Sequence, residues 1–338
     1  MMQALLARLA DGEPLDSDQA AAVMEMIATG QATGAQIASL ITALHMKGET
    51  AEEITGFVRV LLRHALTIHP QVHGRFVDTC GTGGDGSGTF NISTAAAFVA
   101  AGAGIPVVKH GNRSVSSACG SADVLEALGV RIDLPPERVC SIVEETGIGF
   151  LFAPAFHPAL RHAAAVRKEL GFSSVFNLLG PLLNPAGAPA RLCGVYSPAL
   201  VDRFSHTLLA LGTERAMVVH GQGLDEIAVS GPTLVAEIDQ GAIHQYTITP
   251  EAFGITRSPH SSLAGSSPKF NAEIIQKILS GVPGPAHDVV VMNAGAAIYL
   301  GDGATDLGHG IEKAEDSIAS GAAAGRLAAL IRASGSIP

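Results

Sequence analysis

The stretch Asp78-Thr-Cys-Gly-Thr-Gly-Gly-Asp-Gly-Ser-Gly-Thr-Phe-Asn-Ile-Ser-Thr94 is the part of this chain from which the rest can be interpreted. A short apolar run at 75–77 precedes it, and a run of small residues at 93–101 that favours a helix follows it. Glycines spaced this closely let the backbone turn through positive φ and approach a ligand without obstruction by a Cβ atom. Amides in such a loop, together with the N-terminus of the next helix, bind anions. The stretch therefore predicts a cradle for a phosphate or pyrophosphate group.

Length and composition narrow the classes of protein to which the chain can belong. Its 338 residues favour one large domain plus a smaller one. Hydrophobic residues make up 47% of the chain and aromatic residues only 4%, which favours closely packed helices and strands over disorder. The net charge of −10 argues against a nucleic-acid partner, because backbone phosphates require a clustered basic surface. The longest uncharged run, 90–108, is interrupted by polar residues and a Gly-Ile-Pro break, so we expect no membrane span.

The cysteines indicate the compartment rather than a metal site. Cys80, Cys119, Cys140 and Cys193 are too far apart in sequence for a CxxC-type site. No signal peptide is recognisable at the N-terminus. We therefore expect buried, reduced thiols in a cytoplasmic protein.

Residues 1–70 carry only helical patterns. Residues that can cap a helix precede three of these patterns, namely Asp16 or Ser17, Thr33 and Thr50. We expect a small all-helical domain over 1–70, joined by part of 157–190. Its spare apolar faces could also supply a dimer interface.

From about residue 75, strand-like and helix-like runs alternate, which indicates a mostly parallel sheet with helices on both faces. The strand-like runs are 76–79, 107–109, 149–152, 192–196 and 216–220. The helix-like runs between and beyond them include 122–128, 136–145, 157–170, 199–211, 271–279, 286–300 and 311–331. The last of these runs could form one or two helices. The segment 230–265 has an antiparallel or irregular pattern. The predicted fold class is therefore α/β, with the small helical domain hinged to a larger domain, 71–338, built on a mostly parallel central sheet flanked by helices. Ligands bind such sheets at the carboxyl ends of the strands, where the polar motifs of this chain fall.

The motif Lys109-His-Gly-Asn-Arg113 directly follows the second strand-like run. Lys109 and Arg113 can neutralise a phosphate, and Asn112 can orient a planar substrate by hydrogen bonds. A solvated polar loop is the alternative. Several of the serines at 114, 116, 117 and 121 can donate to phosphate, and Ser121 can also cap the next helix.

Two further motifs contain side chains that could bind a metal ion or the carboxylate of a substrate. Asp225 and Glu226 follow the strand-like run 216–219 and a glycine-rich turn, and adjacent carboxylates on a loop suit Mg²⁺ that also holds substrate phosphates. Such a pair is more often a solvated surface feature. The helix-like run at 157–169 carries Arg161, Arg167 and Lys168, one of which could clamp a carboxylate, although spacing does not say which.

Taken together, these motifs resemble the anthranilate phosphoribosyltransferases of tryptophan biosynthesis, within a superfamily that includes pyrimidine nucleoside phosphorylases. The resemblance extends over roughly 1–335. The matching pieces, in family order, are Met46-Lys-Gly-Glu-Thr50, Gly81-Thr-Gly-Gly-Asp85, Asn91-Ile-Ser-Thr94, Lys109-His-Gly-Asn-Arg113, Ser121-Ala-Asp-Val-Leu-Glu-Ala-Leu-Gly129, Phe176-Asn-Leu-Leu-Gly-Pro-Leu-Leu-Asn-Pro185 and Gly223-Leu-Asp-Glu226. The chain departs from the family pattern at Ala118-Cys119 and at Ala165.

The resemblance implies transfer of the 5-phosphoribosyl group from phosphoribosyl pyrophosphate to the amine of anthranilate, with Mg²⁺ as cofactor and a homodimer formed through the helical domain. By family match, phosphoribosyl pyrophosphate would be held by Gly81, Gly83, Gly84, Asp85, Thr89, Asn91, Ser93, Thr94, Lys109 and Ser121. Anthranilate would be bound by Gly81, His110, Asn112 and Arg167, and Mg²⁺ by Ser93, Asp225 and Glu226. No side chain is placed as a covalent nucleophile, and His110 is a candidate proton acceptor.

Two alternatives stand beside this interpretation. A pyrimidine nucleoside phosphorylase-like enzyme would share the architecture and bind phosphate instead of pyrophosphate. A non-catalytic relative that binds nucleic acid should show a basic surface and loss of Asn112 or of the carboxylate pair, whereas this acidic chain keeps both.

Overall fold

The computed structural model describes residues 1–114 and 118–335. Within these ranges the helices are α1 (Met2–Ala10), α2 (Ser17–Ala28), α3 (Gly34–Lys47), α4 (Ala51–Arg63), α5 (Ile92–Gly102), α6 (Ser121–Ala127), α7 (Pro136–Thr146), α8 (Ala153–Phe156), α9 (Arg161–Leu170), α10 (Val175–Leu179), α11 (Ala199–Ala210), α12 (Pro268–Leu279), α13 (Pro285–Leu300), α14 (Leu307–Ala319) and α15 (Ala322–Gly335). The strands are β1 (Val77–Gly81), β2 (Val107–Gly111), β3 (Ile148–Phe152), β4 (Ala190–Gly194), β5 (Arg215–His220), β6 (Thr233–Asp239) and β7 (Ala242–Ile248).

The seven strands form one sheet in the order β3-β2-β1-β4-β5-β6-β7. The first five are parallel, and β6 and β7 add an antiparallel hairpin at one edge. The mostly parallel sheet predicted from the sequence is therefore confirmed. The chain runs outward from β1 through β2 to β3 and then crosses back to β4, so the direction of winding reverses between β1 and β4. In open α/β sheets, the crevice beyond the carboxyl ends of the strands at such a reversal is the usual place for a ligand.

Each face of the sheet is covered by a different set of helices. One face packs against α5, α12, α13, α14 and α15, and the alanines of α5 at 95–97 and 100–101 are all buried there. The other face packs against α11 and the helices α1–α4, in one apolar cluster that also includes Ala163, Phe176 and Leu182 from the 157–190 region. Small side chains explain how α5 can be buried nearly all round, since Ala lets neighbouring backbones approach closely.

The helices at the N-terminus begin at the caps that the sequence indicates. Asp16, Thr33 and Thr50 each accept a hydrogen bond from a backbone amide of the following helix, and Asp16 accepts at 2.8 Å from the amide of Gln19. Asp16, rather than Ser17, is therefore the cap of α2. The helix α4 ends at Arg63.

The helix α6 begins one residue earlier than predicted. Its N-cap is Gly120 and not Ser121, because the carboxylate of Asp123 accepts from the amides of Gly120 and Ser114, both at 2.9 Å. The hydroxyl of Ser121 donates instead to the carbonyl of Asn112 at 3.3 Å. The expectation that Ser116 and Ser117 could donate to phosphate concerns residues outside the described ranges.

The remaining differences concern helix breaks. The predicted helix over 157–170 begins with a 3₁₀ turn, Pro158–Leu160, and becomes α-helical only in α9. The pattern at 311–331 forms two helices, α14 and α15. Among the described residues, no helix has the length and apolar character needed to cross a membrane.

Candidate active site

The glycine-rich loop after β1 adopts the conformation that its sequence requires. Gly83, Gly84, Gly86 and Gly88 have φ values of 64°, 77°, 69° and 65°. A Cβ atom at Gly83, Gly86 or Gly88 would meet no other atom within 4 Å. Glycine is thus required there by backbone conformation and not by crowding, and open space in front of the loop is available to a ligand.

The side chain of Asp225 holds this loop in place from far along the sequence. The amide of Gly83 donates to Asp225 Oδ2 at 2.7 Å, and the amide of Asp225 donates to Asp85 Oδ2 at 3.4 Å. Added Cβ atoms at Gly81 and Gly194, the last residues of β1 and β4, would collide with Asp225. The two strands therefore end in glycine so that the 225–226 loop can lie against the reversal point of the sheet.

Asp225 and Glu226 form a recessed carboxylate pair. The amide of Ser93, in the first turn of α5, donates to Glu226 Oε1 at 3.1 Å. Burial raises the pKa of Asp225 to about 7, and the nearby charge of Asp85 adds to the rise. Burial also raises the pKa of Glu226 to about 8, with a further contribution from Asp225. Within the described residues neither carboxylate has a basic side chain within 4 Å, so the pair is electrostatically suited to receive a cation.

Lys109 lies beneath this pair with its side chain buried at 4% exposure. Its ammonium donates to the carbonyl of Thr79 and, at 3.2 Å, to the hydroxyl of Ser93. Its positive charge opposes the rise in the pKa of both Asp78 and Glu226. The charge of Lys109 therefore partly offsets the negative charges of both Asp78 and Glu226.

The oxygen atoms of Asp225, Glu226 and Ser93 are the hard ligands that Mg²⁺ prefers. Among the described residues, no group of three or more His, Cys, Asp or Glu side chains is arranged to hold a metal by itself. This combination suits Mg²⁺, which is commonly bound through one or two carboxylates while substrate phosphates and water supply its other ligands. The residues present fit such an ion.

Residues at the start of α5 contribute in different ways. The side-chain Nδ2 of Asn91 donates to the carbonyl of Cys119 at 3.0 Å, and its Oδ1 accepts from Asn271 Nδ2 at 3.0 Å. Asn91 therefore ties α5 to the loop before α6 and to α12. Thr94 is buried at 1% exposure, and its hydroxyl has no hydrogen-bond partner among the described residues. Thr89 forms an isolated bridge with the segment that precedes α12.

His110 at the end of β2 is paired with a second buried histidine that the sequence analysis did not single out. His110 Nδ1 lies 3.1 Å from the carbonyl of Gly180, and His157 Nε2 lies 2.8 Å from the carbonyl of Leu183. A carbonyl only accepts, so these nitrogens carry the hydrogens of the neutral rings, as assigned from their partners. The two other ring nitrogens are buried without a partner among the described residues. The ring centroids are 5.1 Å apart, and burial lowers the pKa of His110 to about 4 and that of His157 to about 3.

Arg167 is the recessed cation of α9. Its guanidinium lies over the ring of Phe176, 5.2 Å from the centroid, and burial lowers its pKa. Arg161 and Lys168 are exposed, and Arg167 forms no ion pair in the part of the chain that the structure describes. A recessed guanidinium without a carboxylate partner suits a carboxylate on a ligand.

Arg113 behaves differently from the expectation that it could neutralise phosphate. Its guanidinium makes ion pairs with Asp123 at 3.1 Å and with Glu126 at 2.5 Å, and it lies 5.6 Å from the centroid of the Phe152 ring. Its charge is therefore already balanced by α6. Asn112 is exposed, and its Oδ1 accepts from the amide of Arg113 at 2.7 Å.

The fold and the site define an α/β protein with an appended helical bundle and an anion-binding loop beside a carboxylate pair. The family of glycosyl transferases matches this chain in both parts: its helical bundle domain matches residues 3–65, and its a/b domain matches residues 73–324. The anthranilate phosphoribosyltransferase of Methanocorpusculum labreanum is 52% identical over 99% of this chain and 98% of its own length. That of Moorella thermoacetica is 52% identical over 98% of each chain.

Solved structures give the same result. The anthranilate phosphoribosyltransferase of Thermus thermophilus superposes with a TM-score of 0.92 at 42% identity, covering 98% of this chain and 99% of its own. The Saccharomyces cerevisiae enzyme in complex with phosphoribosyl pyrophosphate and Mg superposes with a TM-score of 0.90 at 31% identity, covering 99% of this chain and 98% of its own. The chain belongs to this glycosyl transferase family and, within it, to the anthranilate phosphoribosyltransferases.

Proposed function

We propose that this protein transfers the 5-phosphoribosyl group of phosphoribosyl pyrophosphate to the amine of anthranilate and releases pyrophosphate. The main observation behind this proposal is that three features meet at the reversal point of the sheet. They are the open glycine loop, the buried Lys109, and the carboxylates of Asp225 and Glu226, which form no ion pair with any described residue. Identity of 52% along essentially the whole chain to a protein of that name supports the same reaction. The observations favour neither a nucleoside phosphorylase nor a nucleic-acid-binding protein, since the curated relatives carry the transferase name and the net charge is −10.

The glycine loop and the start of α5 would bind phosphoribosyl pyrophosphate. The proposed ligands are Gly81, Gly83, Gly84, Asp85, Thr89, Asn91, Ser93, Thr94, Lys109 and Ser121. Of these, the buried hydroxyl of Thr94 has no partner among the described residues and is well suited to a phosphate oxygen, because a buried donor without a partner gains most from a ligand. The exposed backbone of the glycine loop is open to the same ligand. Asn91 would act mainly by holding the loop in place, given its two partners within the protein.

Ser93, Asp225 and Glu226 would hold Mg²⁺, whose charge would stabilise the leaving pyrophosphate when it is bound. Lys109 would add a fixed positive charge close to the same leaving group. Preorganised charges of this kind lower the barrier because they need not reorganise as the pyrophosphate departs.

Arg167, Asn112 and Gly81 would orient anthranilate, with Arg167 pairing with its carboxylate. The aromatic amine is a weak nucleophile, so its placement against the anomeric carbon matters for the rate. In the absence of a placed covalent nucleophile, the reaction would be a direct displacement. The unprotonated Nε2 of His110 could accept a hydrogen bond from the amine. His110 is also the proposed proton acceptor, and its pKa of about 4 makes it a weak base.

The domain division, the oligomeric state and the compartment belong to the same proposal. We propose a helical domain of 1–70, completed by part of 157–190, and an α/β domain of 71–338; the packing of Ala163 and Phe176 against α1–α4 supports this assignment. A groove of about 660 Å³ between α1 and α3 includes Leu9, Ala43 and the 82%-exposed Met46, and a second copy of the chain is its proposed occupant in a cytoplasmic homodimer.

The proposal is tested by mixing the purified protein with phosphoribosyl pyrophosphate, Mg²⁺ and anthranilate and following the loss of anthranilate fluorescence. We expect loss only when all three are present. If folded protein binds phosphoribosyl pyrophosphate but leaves anthranilate unchanged, the acceptor is a different amine. If neither substrate binds, the transferase assignment is wrong.

A further inference from the structure

Asp78 is a carboxylate that the reaction as described does not use. It lies in β1 with no exposed surface. Its Oδ1 accepts from the backbone amide of His110 at 3.2 Å, its Oδ2 lies 3.5 Å from the thiol of Cys80, and the side chain of Asn184 lies close enough to lower its pKa. Burial raises the pKa of Asp78, while the charges of Lys109 and Arg191 oppose that rise. A charged group in such a place is costly unless it is fully paired, so its partners indicate its role.

These partners attach one segment, 180–184, to the neighbouring strands β1, β2 and β4. Arg191 lies beside Asp78 in register on β4 and donates to the carbonyl of Pro181 at 3.1 Å. The side chain of Asn184, which also contacts Asp78, donates to the carbonyl of Val108 in β2 at 2.7 Å. Asp78 thus lies where β1, β2, β4 and this segment meet.

The same segment determines the orientation of both buried histidines. The carbonyl of Gly180 accepts from His110 Nδ1, and that of Leu183 accepts from His157 Nε2. Asp78 also holds the backbone amide of His110 directly. The carboxylate therefore acts on His110 in two ways, through its backbone and through the carbonyl that selects its tautomer.

We propose that Asp78 is a positioning residue for the acceptor side of the site, which holds His110 in its Nδ1-protonated tautomer by fixing the 180–184 segment against β1 and β2. The proposal rests on the proposed function for its kinetic consequence only. Asp78 touches no substrate in this view, and its effect reaches the acceptor amine through the bare Nε2 of His110.

The test is Asp78→Asn, a change that keeps size but not charge. One oxygen remains to accept from His110, whereas the new amide group faces the thiol of Cys80 and the cation Arg191. We expect kcat to fall about 10- to 100-fold, as is typical when a group that orients a site residue is removed. The KM for phosphoribosyl pyrophosphate should change by less than about threefold, because Asp78 bonds to His110 on the acceptor side and to none of the described residues of the glycine loop at 82–88.

Thr146→Val is the matched control for a buried hydrogen-bonding side chain. Thr146 is 6% exposed at the end of α7, bonds to the carbonyls of Ile142 and Ile148, and lies outside the proposed site. It should lower the melting temperature and leave kcat within about twofold. An Asp78→Asn variant with the kcat of wild type, or one whose loss of activity the control reproduces, would overturn the proposal.

A spectroscopic measurement separates this proposal from the proposed function. Nitrogen-15 spectra of histidine-labelled protein, assigned by difference with His110→Gln, should show the Nδ1-protonated tautomer of His110 in the wild type and loss of that single state in Asp78→Asn. An unchanged tautomer would refute the positioning role even if the protein acted on a different amine.

If Asp78→Asn does not fold, Asn184→Asp tests the same contact. It places a second carboxylate near Asp78. Among the described residues, the other charged groups of this region are Lys109 and Arg191, and its titratable groups are Cys80, Cys193 and His110. Relative to wild type, its kcat should recover as the pH falls from about 8 to about 6, because the protonated carboxyl again donates. A constant ratio across that range would contradict the proposal.

Discussion

The paired change Asp225→Asn and Glu226→Gln should stabilise the protein in the absence of metal while removing its activity. Both substitutions keep an oxygen that can accept from the amides of Gly83 and Ser93. What they remove is negative charge that burial and mutual repulsion disfavour. The expected gain in unfolding free energy therefore comes from electrostatics and not from new contacts.

The magnitude follows from the two pKa values. A rise from 3.8 to about 7 for Asp225 and from 4.5 to about 8 for Glu226 corresponds to at most roughly 4 and roughly 5 kcal/mol, at about 1.36 kcal/mol per unit. The repulsion between Asp225 and Glu226 is counted in both values, so they cannot simply be added. Because both side chains are only half-buried, solvent also screens their charges, and we expect a total of about 2–3 kcal/mol. At about 2 °C per kcal/mol for a chain of this size, the double variant should melt about 5 °C higher than wild type at pH 8.5.

The raised pKa values also determine in which direction the stability difference between the double variant and wild type changes with pH. Because the folded-state pKa values are raised, folded wild type binds more protons than the unfolded chain between about pH 4 and about pH 8. Its unfolding free energy therefore falls as the pH rises through that window, and the advantage of the double variant should grow from near zero at about pH 4 to its full value above about pH 8.

The assay is thermal unfolding followed by circular dichroism in EDTA across this pH range, repeated with Mg²⁺. Glu312→Gln with Asp316→Asn, on the exposed face of α14, removes the same two charges and should show no such trend. Mg²⁺ with pyrophosphate should raise the melting temperature of wild type and leave that of the double variant unchanged. A double variant less stable than wild type at pH 8.5, or an advantage that does not grow with pH, would refute the reasoning.

Three further predictions follow from the site. Arg167→Ala should raise the KM for anthranilate about 10- to 100-fold and hardly change the KM for phosphoribosyl pyrophosphate, because it removes the partner of the anthranilate carboxylate. The exposed Lys168→Ala is the control, and equal effects of Arg167→Ala on both substrates would disprove the role of Arg167. Gly194→Ala should destabilise the protein by about 1–3 kcal/mol and weaken binding of phosphoribosyl pyrophosphate, because the added Cβ atom collides with the backbone of Asp225, whereas Gly325→Ala meets no atom within 4 Å and should be neutral or stabilising; calorimetric unfolding and titration decide this. Removing Mg²⁺ with EDTA should abolish turnover reversibly, and turnover that persists would exclude a metal requirement.

Local patterns were sufficient to predict the five parallel strands and most of the helices, whereas β6 and β7 lie in the 230–265 segment, whose elements the sequence analysis did not place. The capping side chains Asp16, Thr33 and Thr50, the glycine loop and the alternation of strands with helices are each contained in short windows, where spacing and capping chemistry operate. The motifs in these windows also carry the family resemblance. Boundaries were less accurate where a residue several positions away changed the hydrogen bonding, as Asp123 does at the start of α6.

The ion pairs of the site could not be predicted from such local sequence patterns. Nothing near Arg113 in the sequence indicates that Asp123 and Glu126 would occupy its guanidinium, because that depends on how α6 turns back toward β2. Nor does spacing distinguish Arg167 from its neighbours on α9. His157 gives only one signal, its position shortly after the end of β3, and its pairing with His110 depends on the 180–184 segment.

The sequence by itself determined the α/β architecture, the anion loop and the residue types from which a phosphoribosyl transfer site could be built, since these follow from local periodicity and backbone freedom. Only the tertiary structure decided which of those residues meet. Asp225 contacts Gly83 across 142 positions because β1 and β4 end side by side in glycine, and Asp78 reaches His110 because β1 and β2 are neighbours. Burial raises the pKa of Asp78, Asp225 and Glu226 and lowers that of His110 and His157, and it is a property of that packing with no counterpart in a short stretch of sequence.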